Sequence, residues 1–147
     1  MASLKQKIME DAKELGRHII LELYGCPEAA LNDIPGLEDS LCRAAEAMGA
    51  TVVTSRFHQF SPHGISGVVI IQESHLTIHT WPEYRYAAVD IFTCGEIDME
   101  QGVQYLVKAL EAKRSDWQLL KRGLGLVRRE RARSIVLENG EAGRETK

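Results

Sequence analysis

Between residues 50 and 92 strand-like runs follow one another so closely that no helix fits between them. Residues 50–60 are rich in Val and Thr, and alternation puts Val53, Ser55 and Phe57 on one face, Val52, Thr54 and His58 on the other. Ser61-Pro62-His63-Gly64 is a turn. Val68-Val69-Ile70-Ile71 is a short apolar run that suits a buried strand, and residues 76–81 and 86–92 are two more strands split by a turn around Pro82. Short turns imply mostly antiparallel pairing, because a parallel pair needs a long crossover connection.

The flanking segments supply what such a sheet needs to bury one face. His18-Ile19-Ile20-Leu21-Glu22-Leu23-Tyr24 predicts another strand, stopped by Gly25-Cys26-Pro27. From Leu37 the apolar positions Leu41, Ala44, Ala45 and Met48 fall at helical spacing, and Gly49 suits the helix end. Asp98 with Gln101 three residues later forms a capping-box pattern ahead of Val103, Leu106, Val107 and Leu110. Residues 116–120 suggest a last strand. Residues 1–16 suggest a short, loosely attached helix, and the charged stretch from about 122 to 147 a mobile tail. The order β-α-β-β-β-β-α-β predicts an α+β fold: a two-layer α/β sandwich, mostly antiparallel sheet covered on one face by two helices. The other sheet face must be polar or find a partner. A chain of 147 residues fits a single domain, 1–147.

Charge and cysteine usage remove several function classes. A net charge of -3 argues against a nucleic-acid binder, which usually carries a basic face. No apolar run approaches the length that crosses a bilayer, and the polar start Met1-Ala2-Ser3-Leu4-Lys5 lacks a signal-peptide core, so a cytoplasmic location is expected. Cys26, Cys42 and Cys94 are odd in number and widely spaced, which offers neither a disulfide framework nor a zinc signature.

The chemistry concentrates between Phe57 and Gly95, which holds His58, His63, His75 and His79, four of the five histidines, together with Cys94. In a regular strand His75, Thr77 and His79 point the same way. Residue types alone leave three readings open. One is a polar sheet face at an interface, its histidines satisfied by hydrogen bonds. Another is a metal site on His58, His63, His75 and His79, although their spacing fits no standard motif and no metal is expected. The third is nucleophile chemistry around Ser74, a nearby histidine and Cys94, without the Gly-x-Ser-x-Gly elbow of a hydrolase.

Glu73-Ser74-His75-Leu76-Thr77-Ile78-His79-Thr80-Trp81-Pro82-Glu83-Tyr84 resembles the processing segment of the short bacterial and archaeal pyruvoyl-dependent S-adenosylmethionine decarboxylases. The resemblance extends through Gly16-Arg17-His18, Phe57-His58-Gln59-Phe60, Gly64-Ile65-Ser66-Gly67-Val68-Val69-Ile70 and Ala87-Ala88-Val89-Asp90-Ile91-Phe92-Thr93-Cys94-Gly95, roughly residues 15–113. It implies that the Ser74 hydroxyl attacks the Glu73 carbonyl and that the resulting ester eliminates. The chain is then split into a β chain, 1–73, and an α chain, 74–147, blocked by a pyruvoyl group made from Ser74. It further implies His79 as processing acid/base and Ser66 as a serine that assists near the scissile carbonyl. Pyruvoyl would take up the substrate amine as a Schiff base and act as electron sink, with Cys94 as proton donor. Phe60 and Trp81 match aromatics that contact adenine, and Glu83 a carboxylate that binds ribose. The family builds its site at a homodimer interface, with residues from both subunits.

The expected activity is decarboxylation of S-adenosylmethionine to the aminopropyl donor for spermidine. Relatives of the family that decarboxylate arginine or ornithine with the same cofactor are the alternative, and a non-catalytic regulatory paralogue a further one. Phe60, Trp81 and Glu83 favour the nucleoside, and Ser74, His79 and Cys94 speak against a silent paralogue. One departure stands out: glycine usually follows Pro-Glu-Tyr in the family, whereas this chain has Arg85, a cation close in sequence to Glu83.

Overall fold

A computed structural model describes residues 13–126. The order is β1 (Gly16–Tyr24), a 3-10 turn (Ala30–Asn32), α1 (Ile34–Ala47), β2 (Val52–Gln59), β3 (Ile65–Ile71), β4 (Ser74–Trp81), a second 3-10 turn (Pro82–Tyr84), β5 (Tyr86–Thr93), α2 (Met99–Ala109) and β6 (Arg114–Arg122). The strands form one six-stranded sheet in the order β2-β3-β4-β5-β1-β6. Pairings β2–β3, β3–β4, β4–β5 and β1–β5 are all antiparallel. Arg17–Leu120 forms one compact unit, and the described terminal residues 13–16 and 121–126 belong to another.

The predicted α+β sandwich is the observed one. Leu37, Leu41, Ala44 and Ala45 of α1 and Val103 and Leu106 of α2 pack on the same sheet face as Ile19, Leu21, Leu23, Val69, Leu76, Ile78, Val89 and Ile91. Alternation decides which residues join this core: in β4 Leu76, Ile78 and Thr80 are buried while His79 and Trp81 are exposed. Truncating a central residue such as Leu76 to alanine is expected to cost about 2–5 kcal/mol. The Asp98 side chain accepts a hydrogen bond from the Gln101 amide, as the capping pattern predicts.

Several boundaries differ from the expectation. Helix α1 starts at Ile34 rather than Leu37, because Pro35 in its first turn needs no amide partner there. A register shift between Val52 and Thr54 turns Val53 out to solvent, so it does not share the face of Ser55 and Phe57. Strand β3 begins at Ile65, before the apolar run, and takes Ser66 and Gly67 into the ladder. Gly67 is tolerated there because the Phe57 ring lies over it; a Cβ at Gly67 would come within 2.1 Å of that ring. Strand β6 runs from Arg114 through Arg122, longer at both ends than the expected 116–120 and reaching the first residue that the charge pattern had given to a tail. Residues 1–12 of the expected N-terminal helix and the rest of the tail from 127 lie outside the described residues.

Candidate active site

The β3–β4 connection is the most strained part of the described backbone. Ile71 pairs with Ser74, so Gln72 and Glu73 make a two-residue hairpin turn. Such turns favour positive φ and usually recruit Gly or Asn for it. Here Glu73 sits at φ +67° and Ser74 at φ +147°, regions that side chains other than hydrogen rarely adopt. Each such residue costs on the order of 1–3 kcal/mol, and the two flank a single peptide bond.

The carbonyl of that bond is surrounded by donors from the end of β5. The Cys94 amide donates to the Glu73 oxygen at 3.1 Å, the Cys94 thiol lies at 3.3 Å and the Thr93 hydroxyl at 3.5 Å. Ser74 Oγ stands 3.8 Å from Cys94 Sγ. The pairing of Ser74 with Thr93 across β4 and β5 creates this arrangement. Arg17 then ties down the loop beyond, donating to the carbonyls of Gly95 at 3.2 Å and Ile97 at 3.0 Å. Gly95 leaves room for the Glu73 carboxylate, which a Cβ there would meet at 2.8 Å.

A second cluster occupies the other end of the same strand. His79 Nδ1 and Ser66 Oγ hydrogen-bond at 2.7 Å, because Ser66 and His79 are cross-strand partners. Five residues separate His79 from Ser74, which at the usual strand rise puts them roughly 16 Å apart. Beside His79 a cavity of about 270 Å³ is lined by Phe60, His63, Ser66, Trp81 and Glu83 among others. Phe60 and Trp81 are half exposed to it. His63 Nε2 meets Glu83 Oε2 at 2.7 Å. The expected site residues therefore fall into two groups: Glu73, Ser74 and Cys94 at one end, and Ser66, His79, Phe60, Trp81 and Glu83 at the other.

Between the ends, His75, Thr77 and His79 do share the open sheet face. Thr77 donates to Asp90 at 3.2 Å, Asp90 also pairs with His18 at 2.9 Å, and the His75 ring lies 5.7 Å from Phe92. His58 packs edge-on against Phe60 at 4.7 Å. The four histidines thus have different neighbours, and among the described residues no three His, Cys, Asp or Glu side chains converge as a metal would require.

The other two cysteines differ from Cys94 in surroundings. Cys26 is fully buried, and burial pushes its thiol up to about 11. Cys42 is raised too, by burial and then by Glu38, Glu46 and Asp39. Cys94 alone of the three is exposed. Arg85 adopts the left-handed conformation, φ 52° and ψ 37°, which explains why glycine suits this position. Its guanidinium lies 4.0 Å from Glu28.

Thr93 and Arg17 were given no role by the sequence patterns, and His63 only that of a candidate metal ligand. Thr93 had a visible signal: it ends the buried stripe Ala87, Val89, Ile91 with a hydroxyl, and it is 1% exposed. Arg17 and His63 act on residues remote in sequence, and nothing local marks their partners.

A family model described as S-adenosylmethionine decarboxylase matches residues 17–123. An S-adenosylmethionine decarboxylase proenzyme of Thermotoga petrophila is 55% identical over 103 residues, 69% of this chain and 79% of the relative. One of Methanococcus maripaludis is 49% identical over 113 residues, 76% of this chain and 93% of the relative. The crystal structure of the adenosylmethionine decarboxylase from Aquifex aeolicus superposes with a TM-score of 0.70 at 38% identity, covering 76% of this chain and 93% of that one. With a strained Glu73–Ser74 bond inside the matched span, the chain belongs to the S-adenosylmethionine decarboxylase family.

Proposed function

We propose that the chain cleaves itself between Glu73 and Ser74 and then decarboxylates S-adenosylmethionine, supplying aminopropyl groups for spermidine in the cytoplasm. The observation that carries the reading is the Glu73–Ser74 bond itself, strained on both sides and with its carbonyl oxygen facing Cys94 and Thr93 donors. Strain raises the amide toward the ester that an N-to-O shift produces, and donors favour the oxyanion on the way. The Ser74 hydroxyl adds to the Glu73 carbonyl carbon, the C–N bond breaks, and the hydroxyl proton ends on the freed amine. Removal of the Ser74 α-proton then expels the Glu73 carboxylate. Hydrolysis of the remaining enamine releases ammonia and leaves pyruvoyl at residue 74.

Residues around Ser74 suit such a group, since an exposed thiol stands 3.8 Å from the hydroxyl of the serine that is converted. A pyruvoyl group supplies an electron sink for loss of carbon dioxide. Cys94 is positioned to hold the proton returned to the substrate carbon. Phe60 and Trp81 offer faces for adenine and the sulfonium charge, and Glu83 an acceptor for ribose hydroxyls. Arg85 pairs with Glu28 and leaves Glu83 to His63, so it does not compete for the ribose carboxylate.

His79 and Ser66 are too far from Ser74 of their own chain to act on it. We infer a homodimer in which a second copy brings its His79 end to the Ser74 end of the first. The open sheet face, with Ile70 and Trp81 exposed, is the surface that such a partner would cover.

Intact mass under denaturing conditions tests the cleavage, and release of carbon dioxide from carboxyl-labelled S-adenosylmethionine tests the activity. Two fragments split at Glu73–Ser74, the second blocked at its N-terminus, are expected. A single 16.4 kDa chain that stays intact on incubation sinks the reading. Turnover of arginine with none of S-adenosylmethionine replaces the substrate.

A further inference from the structure

We propose that the Thr93 hydroxyl is a catalytic donor for self-cleavage, stabilising the oxyanion that forms at the Glu73 carbonyl; the proposal rests on the self-cleavage reading above. Thr93 is almost fully buried at the end of an otherwise apolar stripe. A hydroxyl there must be hydrogen-bonded or it destabilises the fold. Its oxygen accepts the Gly95 amide at 3.0 Å, which fixes the hydroxyl and leaves its hydrogen free to be given away. The acceptor in reach is the Glu73 carbonyl oxygen, 3.5 Å distant.

That distance is long for the planar amide. It suits an oxygen that moves and gains charge as the carbon becomes tetrahedral, which is where a donor accelerates the step. When Ser74 Oγ bonds to the Glu73 carbon, the carbonyl π pair moves onto this oxygen. The Thr93 hydroxyl and the Cys94 amide then share the charge. As the C–N bond breaks the pair returns, so Thr93 gives up no proton and is unchanged at the end. Gly95 holds the donor and makes room for the Glu73 carboxylate, so the 93–95 segment lies close to both polar ends of residue 73.

The test follows cleavage of the full-length chain after cell-free synthesis is stopped, by denaturing mass spectrometry over time. Thr93→Val keeps the shape and removes the hydroxyl; it is expected to slow cleavage by about ten- to a hundredfold. Thr93→Ser restores the hydroxyl and is expected to cleave within about threefold of the parent, a rescue that a packing role does not produce. Thermal unfolding of the uncleaved precursors checks that both are folded, and Thr93→Ala substitutes for the valine variant if that one is not. Cleavage of the hydroxyl-free variant at the parent rate overturns the proposal and leaves self-cleavage standing. Equal slowing in the serine and valine variants also overturns it, since a hydroxyl at this position would then make no difference to the rate. A parent chain that never cleaves removes the self-cleavage reading, and this proposal with it.

Discussion

The two ends of β4 are built by different means. At the Ser74 end the chemistry is made from backbone: two positive φ angles, an amide donor from Cys94 and a loop tied down by Arg17. At the His79 end it is made from side-chain pairs, Ser66 with His79 and His63 with Glu83, around an open cavity. The first end suits a reaction of the chain on itself, because strain and fixed donors act on a bond that is already in place. The second suits recognition of something that arrives. One straight strand holds the two ends apart, so within a chain neither completes the other.

The sharpest way to break this comparison is to damage the ends in separate chains. Ser74→Ala and His79→Ala are each expected to abolish activity, and Ser74→Ala to stay as one chain. Co-expressed, they are expected to form mixed dimers in which one intact Ser74 end meets one intact His79 end, restoring about one quarter of the parental sites. No recovery in the mixed population means that the two ends do not meet across a two-fold interface. Cys94→Ala comes next, with turnover per cleaved chain expected to fall by about a hundredfold or more while cleavage continues more slowly. Full turnover in that variant takes Cys94 out of the mechanism.

Smaller effects sharpen the division of labour. His63→Leu removes the partner of Glu83 and is expected to raise KM for S-adenosylmethionine by about tenfold with a much smaller change in kcat; a loss confined to kcat would move His63 out of recognition. Thiol labelling of the folded protein should modify Cys94 and spare Cys26, whose thiol is buried and pushed up to about 11, so that little thiolate forms at pH 8. Peptide mapping reads this directly. The smallest effect is Arg85→Gly, which relieves a left-handed non-glycine residue and loses only an exposed pair with Glu28. It is expected to raise the midpoint of unfolding by a few degrees, equivalent to about 0.5–1 kcal/mol.

Much of the fold was legible because its determinants are local. Alternation along 76–81, the helical spacing from Leu37 to Met48 and the Asp98–Gln101 cap each depend on neighbours within a few positions, and each matches the observed element. Apart from the start of α1, which the local Pro35 decides, two of the errors fell where a distant contact overrides local preference. Val53 turns outward at an irregularity in pairing with β3, and Gly67 enters a strand because Phe57 from β2 covers it.

The site divides in the same way. Residue types between Phe57 and Gly95 mark where the chemistry lies, and a long matching segment identifies the family, since side-chain identity is written directly in the chain. Cross-strand register is not. It places Thr93 and Cys94 over a carbonyl twenty positions earlier, pairs Ser66 with His79, and separates that pair from Ser74 by most of a strand. The positive φ at Glu73 arises when the hairpin closes on that register, because a two-residue turn must bend the backbone whatever residues occupy it, and the second positive φ lies next to it at Ser74, the first residue of the ladder. Composition and spacing therefore name the reactive groups, while the closure of the sheet determines which of them touch.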